Sequence, residues 1–386
     1  MKKYLSFLLA MTMVIAMFAG CGAPPAPATS AAPAPAPEAS AAPAAPAPEA
    51  PKAEKLKVAN IVNGNLGDKS FFDSCEAGLK KLASDGVIEY KTFELGATDA
   101  DKPKWKTTLD ELAMGGEYDL IICGTWQMPE YLAETAKNNP DQKFLYYDGE
   151  CTAPNIASIT YKQNDLGYLV GTAAALMTTS NIERMNPEKI IGFVGGEDGP
   201  VINDFLVGYI QGAQAVDKDI KVDTQYVGNF FDTGKGKELA NVMFKNKCDV
   251  VWGVAGGAGN GAAESAKDNK GWFIGVDSDQ EATFAVSQPE MAAVTAFSGL
   301  KNIGDSMVLA INQMKDGKLE FGKTTSLGLG EGGVGLTTTG NYTKLPEDIR
   351  KALDGLTPKV ASGEIKVSTA FDPAIDVKAI REAARP

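Results

Sequence analysis

Ten short apolar runs rich in Val and Ile recur between residues 56 and 296 of this 386-residue chain, separated by stretches with helical spacing. The runs read as strands at 56–62, 90–95, 120–123, 144–147, 156–160, 190–194, 221–226, 250–254, 273–276 and 292–296. The stretches between them read as helices at 70–83, 104–115, 130–138, 166–178, 201–216, 234–245 and 261–268. A continuous apolar run suits a strand covered on both faces, and repeated strand–helix alternation points to parallel sheets of the α/β class. Ten strands exceed one compact domain. The expectation is two doubly wound parallel-sheet lobes joined by a hinge. Residues 55–163 and 279–318 would form the first, and 164–278 and 319–386 the second, with chain crossings near 161–165, 278–282 and 317–324.

The turn after the first strand carries the chemistry. Residues 64–73 read Gly-Asn-Leu-Gly-Asp-Lys-Ser-Phe-Phe-Asp, between a strand and a helix with apolar Ala77, Leu79 and Leu82. Strand, glycine turn and helix make the first half of a βαβ unit. In open parallel sheets ligands sit at the carboxyl ends of strands, where such loops lie. The alternative is an ordinary turn, capped by Asp68 or Ser70, with Phe71 tucked into the core.

Charge and composition narrow the function classes. With 37 Lys and Arg against 49 Asp and Glu, the net charge is −12, which does not favour nucleic acid or an anionic membrane. There is no His, which removes Ser-His-Asp and Cys-His catalysis and any His-ligated metal site.

The amino terminus reads as a targeting segment over 1–20. Lys2 and Lys3 form a basic start, and residues 5–18 an apolar stretch too short to span a bilayer comfortably. Phe18-Ala-Gly-Cys21 resembles a bacterial lipobox, which implies cleavage before Cys21 and lipidation of its thiol, although Phe18 departs from the usual aliphatic residue. Plain secretion with an incidental Cys21 is the alternative. Residues 21–54 are mostly Ala and Pro and form a semi-extended tether. Cys75, Cys123, Cys151 and Cys248 make no CxxC pair, and nothing demands a disulfide.

Gly67-Asp-Lys-Ser-Phe71 resembles the Asp-Lys-Ser-Phe signature of the basic membrane protein family. Further matches follow in order: Ile191-Gly-Phe-Val-Gly-Gly196, Tyr226-Val-Gly-Asn-Phe-Phe-Asp232, Ala255-Gly-Gly-Ala-Gly-Asn-Gly261, Ile274-Gly-Val-Asp-Ser-Asp-Gln280 and Ser362-Gly-Glu-Ile365. The resemblance implies a type I periplasmic-binding-protein fold, closing on a ligand. It also implies a lipid-anchored solute receptor on the extracytoplasmic face of the cell membrane, serving the permease and ATPase of an ABC importer. Such a receptor is not an enzyme and needs no cofactor or metal. The family includes purine nucleoside receptors.

Each matched position has a physical reading. Phe71 and Phe230 lie just past strand ends, one in each lobe, and two facing rings can sandwich a planar base. One member of each pair, Phe71/Phe72 or Phe230/Phe231, packs inward, and Phe71 and Phe230 are taken as ligand-facing. Trp126 either walls the pocket or belongs to a surface loop or hinge. Asp277 ends a strand, where a carboxylate can accept from the vicinal diol of a ribose, or cap the next element. Lys301 resembles the family lysine that reaches ligand hydroxyls or pairs with the loop Asp; a solvated helix-start lysine is the plain alternative. Gly256 and Gly257 allow close backbone approach, since the Gly-Lys-Ser/Thr ending of a P-loop is missing. The matched loops add Asp68 and Asp232 as ligand candidates. Purine-binding relatives usually carry an acidic residue at the end of the first strand, where this chain has Asn63; Phe72 replaces an Asn of the signature. These departures leave a flavin or a sugar as rival ligands, a ligand sensor as a rival role, and a nucleoside-cleaving enzyme as the rival class.

Overall fold

The structure is a computed structural model that describes residues 54–386. The 1–20 segment, Cys21 and all but the last residue of the tether lie outside the described residues.

The first lobe alternates as its apolar runs dictate: β1 (Leu56–Val62), α1 (Phe71–Ser84), β2 (Ile88–Glu94), α2 (Lys102–Gly115), β3 (Leu120–Gly124), α3 (Pro129–Asn138), β4 (Phe144–Tyr147) and β5 (Ile156–Tyr161). β3 and β4 are buried along their whole length, as strands covered by helices on both faces must be. The second lobe runs α4 (Gln163–Thr178), β6 (Ile190–Gly195), α5 (Pro200–Val216), β7 (Lys221–Tyr226), α6 (Thr233–Lys245), β8 (Val250–Val254), α7 (Gly259–Asn269), β9 (Trp272–Asp277), α8 (Gln280–Ser287), α9 (Pro289–Ala292) and β10 (Thr295–Lys301). The chain then adds α10 (Ile303–Lys315), β11 (Lys323–Leu327), β12 (Val334–Leu336), α11 (Glu347–Ala361) and α12 (Val377–Ala384).

Two six-stranded sheets result, ordered β11-β5-β4-β3-β1-β2 and β12-β10-β9-β8-β6-β7. All pairings are parallel except β10 with β12. In the second lobe α4 and α5 touch backbone to backbone: a Cβ on Gly208 would lie 2.0 Å from the Asn164 carbonyl oxygen, and one on Gly171 2.0 Å from that of Tyr209.

The topology corrects the expected assignment of 279–301, while α10 packs on α1 and so stays with the first lobe as expected. β10 lies beside β9 in the second sheet, Gly299 opposite Val276, so no crossing occurs at 278–282. Asp279 there caps α8, accepting from Ala282 N at 3.0 Å; a helix cap and a hinge draw on the same small polar residues. The expected strand 292–296 starts later, because Pro289 opens a short helix first. The chain crosses after Lys301 to α10, where Gly304 N donates to Ser74 Oγ of α1 at 3.3 Å. β11 then joins β5 in the first sheet, so 319–327 belongs there rather than to the second lobe. Backbone bonds from Lys162 N to Leu327 O at 3.0 Å and from Asn302 N to Gly333 O at 2.9 Å tie the crossing segments together.

Candidate functional site

The carboxyl ends of both sheets face one cleft of about 260 Å³. The first lobe supplies the loop after β1 from Asn63 to Phe72, Thr125–Gln127 after β3, and Asp148 after β4. The second supplies Glu197 and the start of α5, Asn229–Phe231 after β7, Val254–Gly257 after β8, and Asp277 and Lys301 at the ends of β9 and β10. Such strand-end crevices are where open α/β sheets bind ligands.

One end is charged. Lys301 Nζ donates to Asp148 Oδ1 at 2.5 Å, an ion pair between the lobes, with Lys301 1% exposed. The ammonium lies 4.9 Å from the Phe205 ring centre, 5.4 Å from Tyr161 and 5.7 Å from Phe71, an aromatic enclosure that favours a desolvated cation. Asp277 Oδ2 accepts from Ser70 Oγ of the opposite lobe at 2.5 Å. Burial pushes the Asp277 carboxyl up to about 6, with the Lys301 charge opposing. Burial also raises Asp148, again against Lys301. Both residues sit in left-handed backbone, φ 64 for Asp148 and φ 65 for Asp277, and Thr125 joins them at φ 75. For Thr this is a strained conformation, and such strain concentrates at functional sites.

The other end is built of amides. Asn63 Nδ2 donates to Thr125 Oγ1 at 2.7 Å and approaches Gln127 Oε1 at 3.4 Å. Gln127 Nε2 reaches across to the Glu197 carboxylate at 3.3 and 3.5 Å. Burial raises the Glu197 carboxyl. Trp126 also spans the lobes: a Cβ on Gly199 would stand 3.1 Å from its ring.

Aromatic rings line the middle. Phe71 stacks on Tyr147 with centroids 5.3 Å apart, and Phe72 meets Phe71 edge-on at 5.2 Å. The Phe230 ring covers Gly196, where a Cβ would come within 2.2 Å of it, while Phe231 is 46% exposed. Both members of each pair touch the cleft, so neither packs wholly inward.

Nine of the ten residues proposed from sequence line this cleft: Asn63, Asp68, Phe71, Trp126, Phe230, Gly256, Gly257, Asp277 and Lys301. Asp232 does not. It is exposed and caps α6, accepting from Lys235 N at 2.9 Å. Asp68 lines the wall, yet its carboxylate accepts from the N–H groups of Ser70, Phe72 and Asp73 and so holds the start of α1. Burial nevertheless lifts it to about 6. Its carbonyl accepts from Asn260 Nδ2 at 3.1 Å, and that of Lys69 from Ser278 Oγ at 2.8 Å, two further bonds between the lobes. Gly256, at φ 53, brings the backbone against Phe230 where a side chain would be strained. Lys301 is no solvated lysine, and its partner is Asp148 rather than the loop's Asp68. Asp148, Gln127 and Glu197 were not anticipated. Asp148 carried a signal, since Tyr146-Tyr147-Asp148 ends a strand in Asp as Gly275-Val276-Asp277 does. The four described cysteines are buried and unpaired. No described helix is long and apolar enough to cross a membrane.

Two parallel-sheet lobes with three crossings, a strand-end cleft and hydrogen bonds across it define a type I periplasmic-binding-protein fold. The chain belongs to the Bmp family, described as ABC transporter substrate-binding protein PnrA-like, whose model matches residues 55–370. It is 30% identical to the CD4+ T-cell-stimulating antigen of Listeria monocytogenes, covering 95% of this chain and 99% of that one. It is 31% identical to the ABC transporter nucleoside-binding protein BmpA of Lactococcus lactis, over 77% of this chain and 86% of the relative. Among solved structures, an ABC transporter solute-binding protein from Aeropyrum pernix matches with a TM-score of 0.73 at 27% identity, covering 85% of this chain and 99% of that one.

Proposed function

We propose that this substrate-binding protein is the lipid-anchored, extracytoplasmic receptor of an ABC importer and that it binds a nucleoside between its lobes without cleaving it. The observation that carries the ligand class is the division of the cleft. Phe71 and Phe230, one from each lobe, offer faces for a planar base, and the buried Asp277 beside Lys301 offers an acceptor and a donor for sugar hydroxyls. The name of the lactococcal relative supports the same class. The Phe18–Cys21 motif and the Ala/Pro tether support anchoring through Cys21, with the permease and ATPase of the importer as partners. Mass spectrometry of small molecules released by denaturing freshly purified protein tests the ligand. A nucleoside is expected; a flavin or free sugar would overturn the class. Incubation with inosine should release no hypoxanthine. Cys21→Ser should lose lipid labelling, and normal labelling of that variant would contradict the anchor.

A further inference from the structure

Two buried polar atoms of first-lobe residues in this cleft have no partner among the described residues: Asn63 Oδ1 and Trp126 Nε1. One can only accept and the other only donate. Asn63 is 4% exposed, and an amide oxygen buried so deeply without a partner is costly. The neighbours of Asn63 fix which way its amide turns. An ionised carboxylate accepts only, so Gln127 must present its NH₂ to Glu197. That leaves Gln127 Oε1 facing Asn63, which must answer with its own NH₂. Thr125 Oγ1 takes the other amide proton at 2.7 Å. Both protons of Asn63 are then spent on protein, and Oδ1 remains.

We propose that Glu197, acting through Gln127, fixes Asn63 as an acceptor, and that Asn63 Oδ1 selects ligands whose base edge carries an N–H donor. The inference rests on the nucleoside reading above and adds how the base is read. The unpartnered Trp126 indole N–H suits an acceptor on the same ligand, so a lactam edge, N–H next to C=O, matches the pair. Asn63 thereby offers what a carboxylate at the first strand end would offer, an acceptor, but without charge. Glu197 comes from the second lobe and Asn63 and Gln127 from the first, so the relay is complete only when the lobes meet. Glu197 and Gln127 are positioning residues; Asn63 touches the ligand.

Calorimetry on the full chain with inosine and with purine riboside tests this. The two share ribose and ring system, and purine riboside lacks the N1–H and the 6-oxo group. The unmutated protein should prefer inosine by about tenfold or more, the usual consequence of leaving a buried polar atom unpaired. Asn63→Leu should cut that ratio at least about fivefold while purine riboside still binds, which also shows that the variant folds. Glu197→Ala releases Gln127 and Asn63 to flip and should lower the ratio as well. Adding Asn63→Asp to Glu197→Ala should restore it, because a carboxylate presents an oxygen in either orientation. Should Asn63→Leu bind neither ligand, this last pair decides. Tight and equal binding of both ligands by the unmutated protein overturns the selection by Asn63 and leaves the nucleoside reading intact. An unchanged ratio in Glu197→Ala overturns the relay. Failure of the unmutated protein to bind either ligand overturns the nucleoside reading itself.

Discussion

The two ends of the cleft solve the same problem, presenting buried polar atoms to a ligand, in opposite ways. At the charged end Lys301 and Asp148 form a buried ion pair, and Asp277 is held by Ser70, so each charge already has a partner. At the amide end Asn63 and Trp126 are neutral and keep one atom each unpartnered among the described residues. Buried charges left single cost far more than neutral amides left single. The charged end is therefore satisfied by the protein's own groups, and a ligand there competes with those partners. The amide end can hold an atom in reserve for the ligand. Both arrangements join residues from two lobes, so each also reports closure.

Breaking the ion pair should have the largest effect. Lys301→Met leaves Asp148 and Asp277 without their cation, which should cost the closed form about 3–5 kcal/mol. Nucleoside affinity should fall by roughly 150-fold or more, and small-angle scattering should show a larger radius of gyration at ligand concentrations that close the unmutated protein. A compact, ligand-binding variant would show that the pair does not hold the lobes.

The rings between the two ends come next. Phe71→Ala and Phe230→Ala should each weaken nucleoside binding by about 1–3 kcal/mol, or 5- to 150-fold, through lost stacking and burial. Phe231→Ala, at a ring 46% exposed, should change affinity by less than about threefold. Equal losses for Phe230→Ala and Phe231→Ala would reassign the ligand-facing ring.

Acid should act mainly on the charged end. The Asp277 carboxyl is raised from 3.8 to about 6, so its contribution to the unligated fold is fully present below 3.8 and lost as pH rises through 6. Ligand hydroxyls donate to its ionised form, so affinity should move the other way and fall as pH drops through about 6. Asp277→Asn should abolish that part of the pH dependence in calorimetric titrations between pH 5 and 7.5; an unchanged slope would place the titrating group elsewhere. The smallest effect belongs to Asp232→Ala, which should cost about 1 kcal/mol of thermal stability through the lost cap and leave affinity unchanged.

Much of this architecture is legible in the sequence because parallel α/β folds announce themselves locally. Buried strands such as Leu120–Gly124 are unbroken apolar runs, and the loop that follows each one is the only place a strand-end site can lie. That is why Asn63, Phe71, Phe230 and Asp277 are found from spacing and motif. Which sheet a strand joins is a long-range fact, and β10 shows the limit: nothing local in Thr295–Lys301 says that it pairs with β9 before the chain crosses. Asp232 misleads in a related way, since an Asp that caps a helix and one that grips a ligand occupy the same position after a strand; Asp68 lines the cleft while its carboxylate also holds the start of α1. Asp148 and Glu197 meet partners in the other lobe, and Gln127 bridges Asn63 of its own lobe to Glu197 of the other; no spacing along the chain reports such meetings.

The central claim is that the charged end reads the sugar and the rings and amides read the base. Calorimetry of the unmutated protein and of Asp277→Asn, each with inosine and with hypoxanthine, tests it most directly. Asn accepts the left-handed backbone of φ 65 at this position, so the substitution keeps the loop. Inosine affinity should fall by about 10- to 150-fold, or 1.5–3 kcal/mol, through the lost charged acceptor, while hypoxanthine, which has no diol, should bind both proteins alike within about twofold. Equal losses for the two ligands would contradict the account.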